Sequence, residues 1–133
     1  MENFITAFSV AQDLEMKTLE ENLVQQFQAN FMIYVENKHY LNFSFKMMER
    51  IFDVYFINAL DQEFLSSIIL DWIDYDCDSR MSYFKWMIET VNIGDLSTNF
   101  ILEIGSCYAH LFTCITFSSM YVELLDKYYG PLE

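Results

Sequence analysis

The chain has 133 residues, which is the size of one domain and enough for a hydrophobic core. A hydrophobic share of 53% and an aromatic share of 18% exclude a disordered chain. The formal net charge of −13, with only seven Lys and Arg, disfavours nucleic acids and anionic membranes and favours basic or amphipathic protein partners.

The first residues and the cysteines both favour a cytosolic protein. The opening MENFITAFSV lacks the basic segment and the cleavage site of a secretory signal. No apolar run approaches the ~18 residues that cross a bilayer, so we expect no transmembrane anchor. The three cysteines are unevenly spread, which suits reduced thiols better than a disulfide framework.

Apolar residues recur at helical spacing throughout, and the chain has only three Gly and one Pro. This pattern predicts an all-α fold in one domain over 1–133, because a sheet would need more turn residues. The predicted helices cover residues 2–14, 18–36, 43–59, 62–73, 79–92, 98–115 and 118–129. A capping box at Thr18–Glu21 begins the second helix, Gly94 suits a C-cap, and Ser97 or Thr98 begins the sixth.

The fifth predicted helix, over 79–92, is the expected centre of the fold. One of its faces is apolar and consists of Met81, Phe84, Met87, Ile88 and Val91. Tyr83 and Trp86 fill much of the remaining surface, and a helix that is apolar nearly all round is usually buried. We therefore predict a bundle of about seven helices around this one, which is entered through a polar turn that presents Arg80.

The polar turn contains three aspartates with the spacing of an EF-hand calcium loop, Asp74, Asp76 and Asp78. Such a loop needs Gly at its sixth position and a bidentate Glu at its twelfth, where this chain has Ser79 and Lys85. The segment is therefore interpreted as a turn between helices, with Asp78 as the N-cap of the fifth helix.

Soft metal ligands recur in the sixth predicted helix, at Cys107, His110 and Cys114. With Cys77 they resemble a zinc site, and Cys107 with His110 resembles a nucleophile pair. The favoured interpretation is that small thiols pack in the core of a long apolar helix. No Gly-rich phosphate loop is present, so we expect no enzyme, no metal and no cofactor.

Arg80 is one of only two arginines and stands among aspartates. In one interpretation it forms a local ion pair with Asp76 or Asp78, which would contribute little at an exposed site. In the other it is a cation at the rim of an apolar groove, available to a ligand carboxylate. The residues alone leave both interpretations open.

The segment around Arg80 resembles the Bcl-2 family of apoptosis regulators. Cys77–Arg80 stands where that family has Asn-Trp-Gly-Arg at the start of its central fifth helix. Phe64 and Asp74 fall at the spacing of the family's fourth helix, and Tyr121–Leu124 with Tyr129–Gly130 is similar to its closing Phe-Val-Glu-Leu-Tyr-Gly. The resemblance covers roughly 64–130 and implies a Bcl-2-like helical bundle.

The chain also departs from the Bcl-2 pattern. Cys77, Asp78 and Ser79 replace Asn, Trp and Gly, so Arg80 alone of the tetrad remains. Such divergence resembles viral members of the family, for example from a large DNA virus of fish. Phe52 stands where a death ligand needs a small residue, which implies a receptor and not a ligand.

The resemblance implies a groove that binds a pro-apoptotic BH3 helix of the host, with the ligand Asp paired to Arg80. The implied BH3-binding residues are Phe27, Phe31, Tyr34, Ser67, Leu70, Cys77, Asp78, Ser79, Arg80, Tyr83, Phe84 and Met87. The implied function is inhibition of apoptosis by sequestering a Bim-like helix, in the host cytoplasm or peripherally at mitochondria.

Two further hypotheses stand beside BH3 binding. A scaffold of the same fold would dock host signalling proteins without binding BH3 helices, and the changes at Cys77 and Ser79 favour it. A homodimer is the second hypothesis, because so many aromatic side chains are hard to bury within one small domain. A dimer that covered the groove would compete with the ligand.

Overall fold

The chain is all-α, as predicted. The structure, a computed structural model, describes residues 2–113 and 115–129, and no strand occurs among them. The α-helices are α1 (Glu2–Asp13), α2 (Lys17–Ala29), α3 (Phe31–Glu36), α4 (Phe45–Ile51), α5 (Val54–Asn58), α6 (Gln62–Tyr75), α7 (Cys77–Arg80), α8 (Phe84–Thr90), α9 (Thr98–Cys107) and α10 (Ile115–Tyr129). Short 3-10 helices cover His39–Asn42, Met81–Tyr83, Ile93–Asp95 and Ala109–Thr113. Within the described residues, no helix has the length and hydrophobicity that a bilayer crossing requires.

Two compact units make up the chain, Met1–Asn58 and Ala59–Glu133. The first unit contains α1 to α5, and the second contains α6 to α10. Each unit has buried apolar side chains of its own. The single domain over 1–133 and its Bcl-2-like arrangement stay predictions.

A network of aromatic rings forms the core of the first unit. The Phe27 ring lies at its centre, with its centroid 5.5 Å from that of Phe43 and 4.9 Å from that of Tyr34. Phe4 and Phe8 lie one turn apart on α1, and both rings contact Phe43. Burial of each such side chain stabilises the fold by roughly 1.5–3 kcal/mol.

Helix α1 ends in a Schellman motif built on Glu15. The Met16 amide donates to the Ala11 carbonyl at 2.8 Å, and the Glu15 amide donates to the Gln12 carbonyl at 3.3 Å. Glu15 has a φ of 55°, and Lys38 has a φ of 59° before the 3-10 helix that follows α3. A side chain costs about 1–2 kcal/mol in this left-handed region, which is why Gly is usual there.

The helix predicted over 18–36 is divided into α2 and α3. Helix α2 begins at Lys17 after the N-cap Met16, which makes no side-chain capping bond, so the capping box predicted at Thr18 was wrong. Asn30 separates the helices, since its backbone leaves the helical region and its side-chain amide donates to a carbonyl of the last turn of α2. Hydrogen bonds from an Asn side chain to nearby backbone groups compete with the regular hydrogen bonds of a helix.

The helix predicted over 43–59 is also divided. Ser44 caps α4, because its hydroxyl oxygen accepts from the Met47 amide at 3.2 Å. Asp53 precedes α5, and its carboxylate accepts from the Phe56 amide at 2.9 Å. The capping carboxylate of Asp53 begins a new helix, so α4 and α5 are separate helices.

Helix α6 supplies much of the core of the second unit. Asp61 caps it by accepting from the Phe64 amide at 2.9 Å. Its buried side chains are Leu65, Ser66, Ile68, Ile69, Leu70, Trp72 and Ile73. Ser66 is satisfied because its hydroxyl donates to the Gln62 carbonyl at 2.8 Å. The helix predicted over 62–73 is confirmed and extends to Tyr75.

The central helix predicted over 79–92 is instead three short pieces, α7, a 3-10 helix and α8. The N-cap of α7 is Asp76, and Asp78 lies inside that helix. The N-cap predicted at Asp78 was therefore wrong. The backbone leaves the helical region at Asp76, and the polar residues that follow have low helix propensity. Phe84 and Met87 of the predicted apolar face are nevertheless buried.

The ends of the later helices differ from the predicted ones. Helix α8 ends before Val91, whose backbone is extended, and Gly94 lies in a 3-10 helix, so the C-cap predicted at Gly94 was wrong. Ser97 caps α9, as predicted, by accepting from the Phe100 amide at 3.1 Å. Helix α9 ends at Cys107 and is followed by a 3-10 helix, so the sixth helix is shorter than predicted.

Helices α9 and α10 meet at a glycine. The hydroxyl of Tyr121 donates to the Ile101 carbonyl at 2.7 Å, in a buried position. A Cβ atom at Gly105 would lie 2.9 Å from the Tyr121 hydroxyl oxygen. Gly105 therefore allows the close approach on which this hydrogen bond depends.

Candidate functional site

The guanidinium of Arg80 lies on the indole ring of Trp72. The Arg80 Cζ atom is 4.4 Å from the Trp72 ring centroid and 5.9 Å from that of Tyr75. Its Nη1 atom donates to the Trp72 carbonyl at 2.8 Å. The bend between α6 and α7 allows this contact, because the side chain of Arg80 turns back along the last turn of α6.

The surroundings of Arg80 act on its pKa in opposite directions. Burial lowers the pKa below its usual value, and the negative charge of Asp76 partly opposes this effect. Asp76 was one of the two ion-pair partners proposed from the sequence. The ring of Trp72 was not foreseen, and it provides a cation–π contact that holds the half-buried side chain.

Two polar bridges join the same end of α6 to the segment that follows α9. The Tyr108 hydroxyl donates to the Asp71 carboxylate at 2.5 Å, and His110 Nε2 is hydrogen-bonded to the Asp74 carboxylate. Asp71 and Asp74 are three residues apart, so their carboxylates lie on one side of α6. Burial and the bond to Asp71 raise the pKa of Tyr108. We call this set the α6-end cluster: Asp71, Trp72, Asp74, Arg80, Tyr108 and His110.

The proposed soft-ligand group is not brought together in the described part of the chain. Cys107 is the last residue of α9, and His110 lies in the next 3-10 helix, so they do not share one helix. Both are exposed, so the core packing predicted for the Cys107 thiol was wrong. Cys114 lies outside the described residues, and no metal-binding group of three His, Cys, Asp or Glu side chains occurs in 2–113 and 115–129.

Three of the predicted BH3-binding residues belong to the first unit, and all three are part of its ring network. Phe27 and Phe31 are buried, with ring centroids 5.8 Å apart. Tyr34 is half-buried, stacks on Phe27 and accepts a hydrogen bond from Gln26 at 2.9 Å. Phe27 and Phe31 are therefore core side chains in this structure and do not line an open groove.

The other predicted BH3-binding residues lie in the second unit and differ in exposure. Leu70, Phe84 and Met87 are buried in this structure, and their role in binding a BH3 helix stays a prediction. The remaining six are accessible, with Ser67, Cys77, Arg80 and Tyr83 half-buried and Asp78 and Ser79 exposed. The hydroxyl of Ser67 donates to the Glu63 carbonyl at 3.1 Å.

Comparison with protein families matches residues 4–106, well over half of the chain, to BACK, described as BTB And C-terminal Kelch. The chain belongs to the BACK family. No curated protein and no solved structure matches it. The BACK match includes Asp71, Asp74 and Arg80 but ends before Tyr108 and His110. The resemblance to the Bcl-2 family is not addressed by these comparisons and stays a prediction.

Proposed function

We propose that this BACK chain is a helical interaction domain that holds other proteins together and catalyses no reaction. The family match over residues 4–106 carries the proposal. The family's name joins BTB with a C-terminal Kelch, and we propose that the partners of this chain carry such modules. This proposal shares with the scaffold hypothesis from the sequence a binding role without BH3 recognition, but it differs in the protein family and in the class of partner.

The charge of the chain supports binding to proteins. The first unit has 8 acidic and 4 basic residues, and the second has 12 acidic and 3 basic residues. Such a surface repels nucleic acids and attracts basic protein segments, and it raises the rate of encounter with them.

The contacts within the α6-end cluster also support a structural role. Asp71 is bonded to Tyr108, Asp74 to His110, and Arg80 to the Trp72 carbonyl. Each of these side chains fixes one segment of the second unit to another. Groups that are engaged in this way stabilise a fold, so we assign the cluster to the rigidity of the domain.

Affinity capture with the tagged full chain, followed by reconstitution with each purified partner, tests the proposal. We expect a stoichiometric complex in sedimentation with a protein that contains a BTB or Kelch module. A Phe27→Ala variant, which removes the centre of the first core, is the control and should lose the complex. The proposal fails if no purified protein forms a complex with the folded chain.

BH3 binding is the second candidate, and the position of Arg80 favours it. Arg80 is half-buried beside the exposed Asp78 and Ser79, where a ligand aspartate could approach. Such a ligand would have to displace present contacts of the guanidinium with Trp72. Inhibition of apoptosis, a viral origin and a location in the host cytoplasm or at mitochondria all belong to this candidate.

Calorimetric titration with a panel of BH3 peptides tests the second candidate. If a BH3 aspartate pairs with Arg80, the Arg80→Ala variant should lose roughly 2–5 kcal/mol of binding free energy. Equal binding by the variant would contradict the role of Arg80. If no peptide binds the wild-type chain, only the scaffold proposal remains.

A further inference from the structure

Helix α7 lies between two helices with buried side chains but buries none of its own. In residues 77–83, all of which the structure describes, every side chain is exposed or half-buried. Trp72 of α6 and Phe84 of α8, on either side, are both fully buried. Most of the stability of a helix in a protein comes from such packing. We call residues 76–80, which comprise α7 and its N-cap, the α7 segment.

The N-terminus of α7 also lacks the side-chain cap that two longer helices of the second unit have. Asp61 caps α6 and Ser97 caps α9, at 2.9 Å and 3.1 Å from the amides that they accept from. Asp76 makes no side-chain capping bond, and its φ of −141° and ψ of 66° lie outside the helical region. A helix of four residues with neither a cap nor buried side chains has few interactions that oppose its unfolding.

Arg80 joins the α7 segment to the body of α6. Its Cζ atom lies 4.4 Å from the centroid of the Trp72 ring, and its Nη1 atom donates to the Trp72 carbonyl at 2.8 Å. Trp72 precedes the bend at Asp76, so both contacts cross that bend. The guanidinium also covers a face of the indole ring, because cation–π contacts place the cation over the ring.

The structure after the α7 segment has contacts that do not involve α7. The 3-10 helix Met81–Tyr83 packs against α6, α8 and α10. The ring of Tyr83 lies 5.7 Å from that of Trp72, and the Phe84 side chain is buried. Residues 76–80 can therefore lose their own hydrogen bonds while the chain on both sides keeps its packing.

We propose that the α7 segment opens as a unit while α6 and α8 stay folded, and that the contact of Arg80 with Trp72 controls how often it opens. In the open state the guanidinium leaves the ring, and one face of the Trp72 indole becomes accessible to a partner. Local opening requires less free energy than global unfolding, because fewer contacts break. The proposal concerns the second unit alone and does not depend on which partner the chain binds.

Three backbone amides report the opening. The amides of Ser79 and Arg80 donate to the Asp76 carbonyl at 3.2 Å and 3.0 Å, and the Met81 amide donates to the Cys77 carbonyl. Native-state hydrogen exchange of the full chain, followed by NMR at low urea concentrations, measures each amide. We expect these three to exchange at least about tenfold faster than the slowest amides of α6, after correction for intrinsic rates. Their exchange should depend little on urea, because a local opening exposes little surface.

Arg80→Ala tests the contact with Trp72. It should raise the exchange rates of the Ser79 and Met81 amides about tenfold, because a cation–π contact and a hydrogen bond no longer oppose the opening. The matched control is Lys85→Ala, which removes an exposed cation of α8 whose distance to Glu89 is 4.0 Å. The control should leave both rates within about twofold of the wild type.

Two further variants separate local opening from global unfolding. Ile69→Val shortens a fully buried side chain of α6, so it should raise the exchange of the slowest α6 amides several-fold and leave Met81 within about twofold. Ser79→Ala favours the helix at an exposed position of α7, so it should slow exchange at Arg80 and Met81 about twofold. Circular dichroism should show that all variants remain folded.

Two results would overturn the inference. If Ile69→Val accelerates Met81 as much as α6, then α7 unfolds only together with the whole unit. If Arg80→Ala leaves the rates of Ser79 and Met81 at the level of Lys85→Ala, the contact with Trp72 does not control the opening. Should Arg80→Ala fail to fold, Ile69→Val and Ser79→Ala still decide whether the opening is local. None of these rates depends on a partner, so this inference and the proposed function fail separately.

Discussion

The two units of the chain are stabilised by different chemistry. In the first, the rings of Phe4, Phe8, Phe27 and Phe43 contact one another in one continuous network. In the second, the apolar helix α6 is fixed at its end by hydrogen bonds from Tyr108 and His110. Ring packing does not depend on ionisation, whereas the hydrogen bond from Tyr108 does, because burial and the bond to Asp71 raise the pKa of the Tyr108 hydroxyl. We therefore expect the stability of the second unit to depend on pH, and the stability of the first unit to be sensitive to substitutions that shorten its buried aromatic side chains.

The largest expected effect comes from Phe27→Ala. It removes a ring that contacts four others, so the free energy of unfolding should fall by about 3–5 kcal/mol. Hydrogen exchange should report greater loss of amide protection in residues 2–58 than in 59–113. The exposed Tyr55→Ala is the control and should change stability by less than about 0.5 kcal/mol. Equal loss of protection in both segments would mean that the two cores unfold together, and the contrast between them would not hold.

Arg80→Ala should have the next largest effect. It removes a cation–π contact and a hydrogen bond to the Trp72 carbonyl, so the free energy of unfolding should fall by about 1–2 kcal/mol. Urea unfolding followed by Trp72 fluorescence in a Trp86→Phe background measures it. Arg80→Lys keeps the charge but lacks the planar stacking group, so it should recover only part of the loss. Full recovery by Lys would assign the effect to charge alone.

Tyr108→Phe tests the pH dependence of the second unit. Burial and the bond to Asp71 raise the pKa of Tyr108 in the folded state. The unfolded chain therefore loses this proton first, at a pKa near 10, and the stability that Tyr108 contributes is present below about pH 10 and lost as the pH rises further. Urea unfolding between about pH 8 and pH 11 should give a steeper decline for wild type than for Tyr108→Phe. Tyr55→Phe, at an exposed ring, is the matched control, and an equal slope in wild type and Tyr108→Phe would contradict the prediction.

The smallest expected effect is a stabilisation in the first unit. Glu15→Gly relieves a side chain in the left-handed region, so thermal or urea unfolding should report a gain of about 0.5–1 kcal/mol. Gln25→Gly is a control with the opposite expected sign. It lies in the interior of α2 and should lower the free energy of unfolding by about 0.5–1 kcal/mol. If both substitutions destabilise the chain, the Schellman motif at Glu15 depends on its side chain.

The sequence predicts the helices well and their interruptions poorly. Apolar periodicity and few Gly or Pro residues predict helices along the whole chain, and helices occur throughout residues 2–113 and 115–129. The divisions at Asn30, at Asp53 and within 77–84 involve no Gly or Pro. They arise from a side-chain bond at Asn30, a capping carboxylate at Asp53 and an unfavourable polar run before Arg80. Such local bonds compete closely with the helix, so periodicity alone does not locate them.

The candidate site is less predictable than the fold. Arg80 stands out in the sequence because cations are rare, but its contact with Trp72 depends on a bend that no motif indicates. Asp74 and His110 are 36 residues apart, and no spacing rule joins them. Membership of the BACK family has no short signature in this chain, since a helical pattern of apolar residues is common to many all-α families.

The contact between α9 and α10 also affects the order in which substitutions at positions 105 and 121 are tolerated. A Cβ atom at Gly105 would lie 2.9 Å from the Tyr121 hydroxyl oxygen but 3.5 Å from the ring carbon that bears it, which is an ordinary contact. Tyr121→Phe as a first step loses one hydrogen bond and opens space for Ala at position 105. Gly105→Ala as a first step meets a steric clash. Ala at position 105 is therefore easier to accommodate after the hydroxyl at 121 has been lost than before.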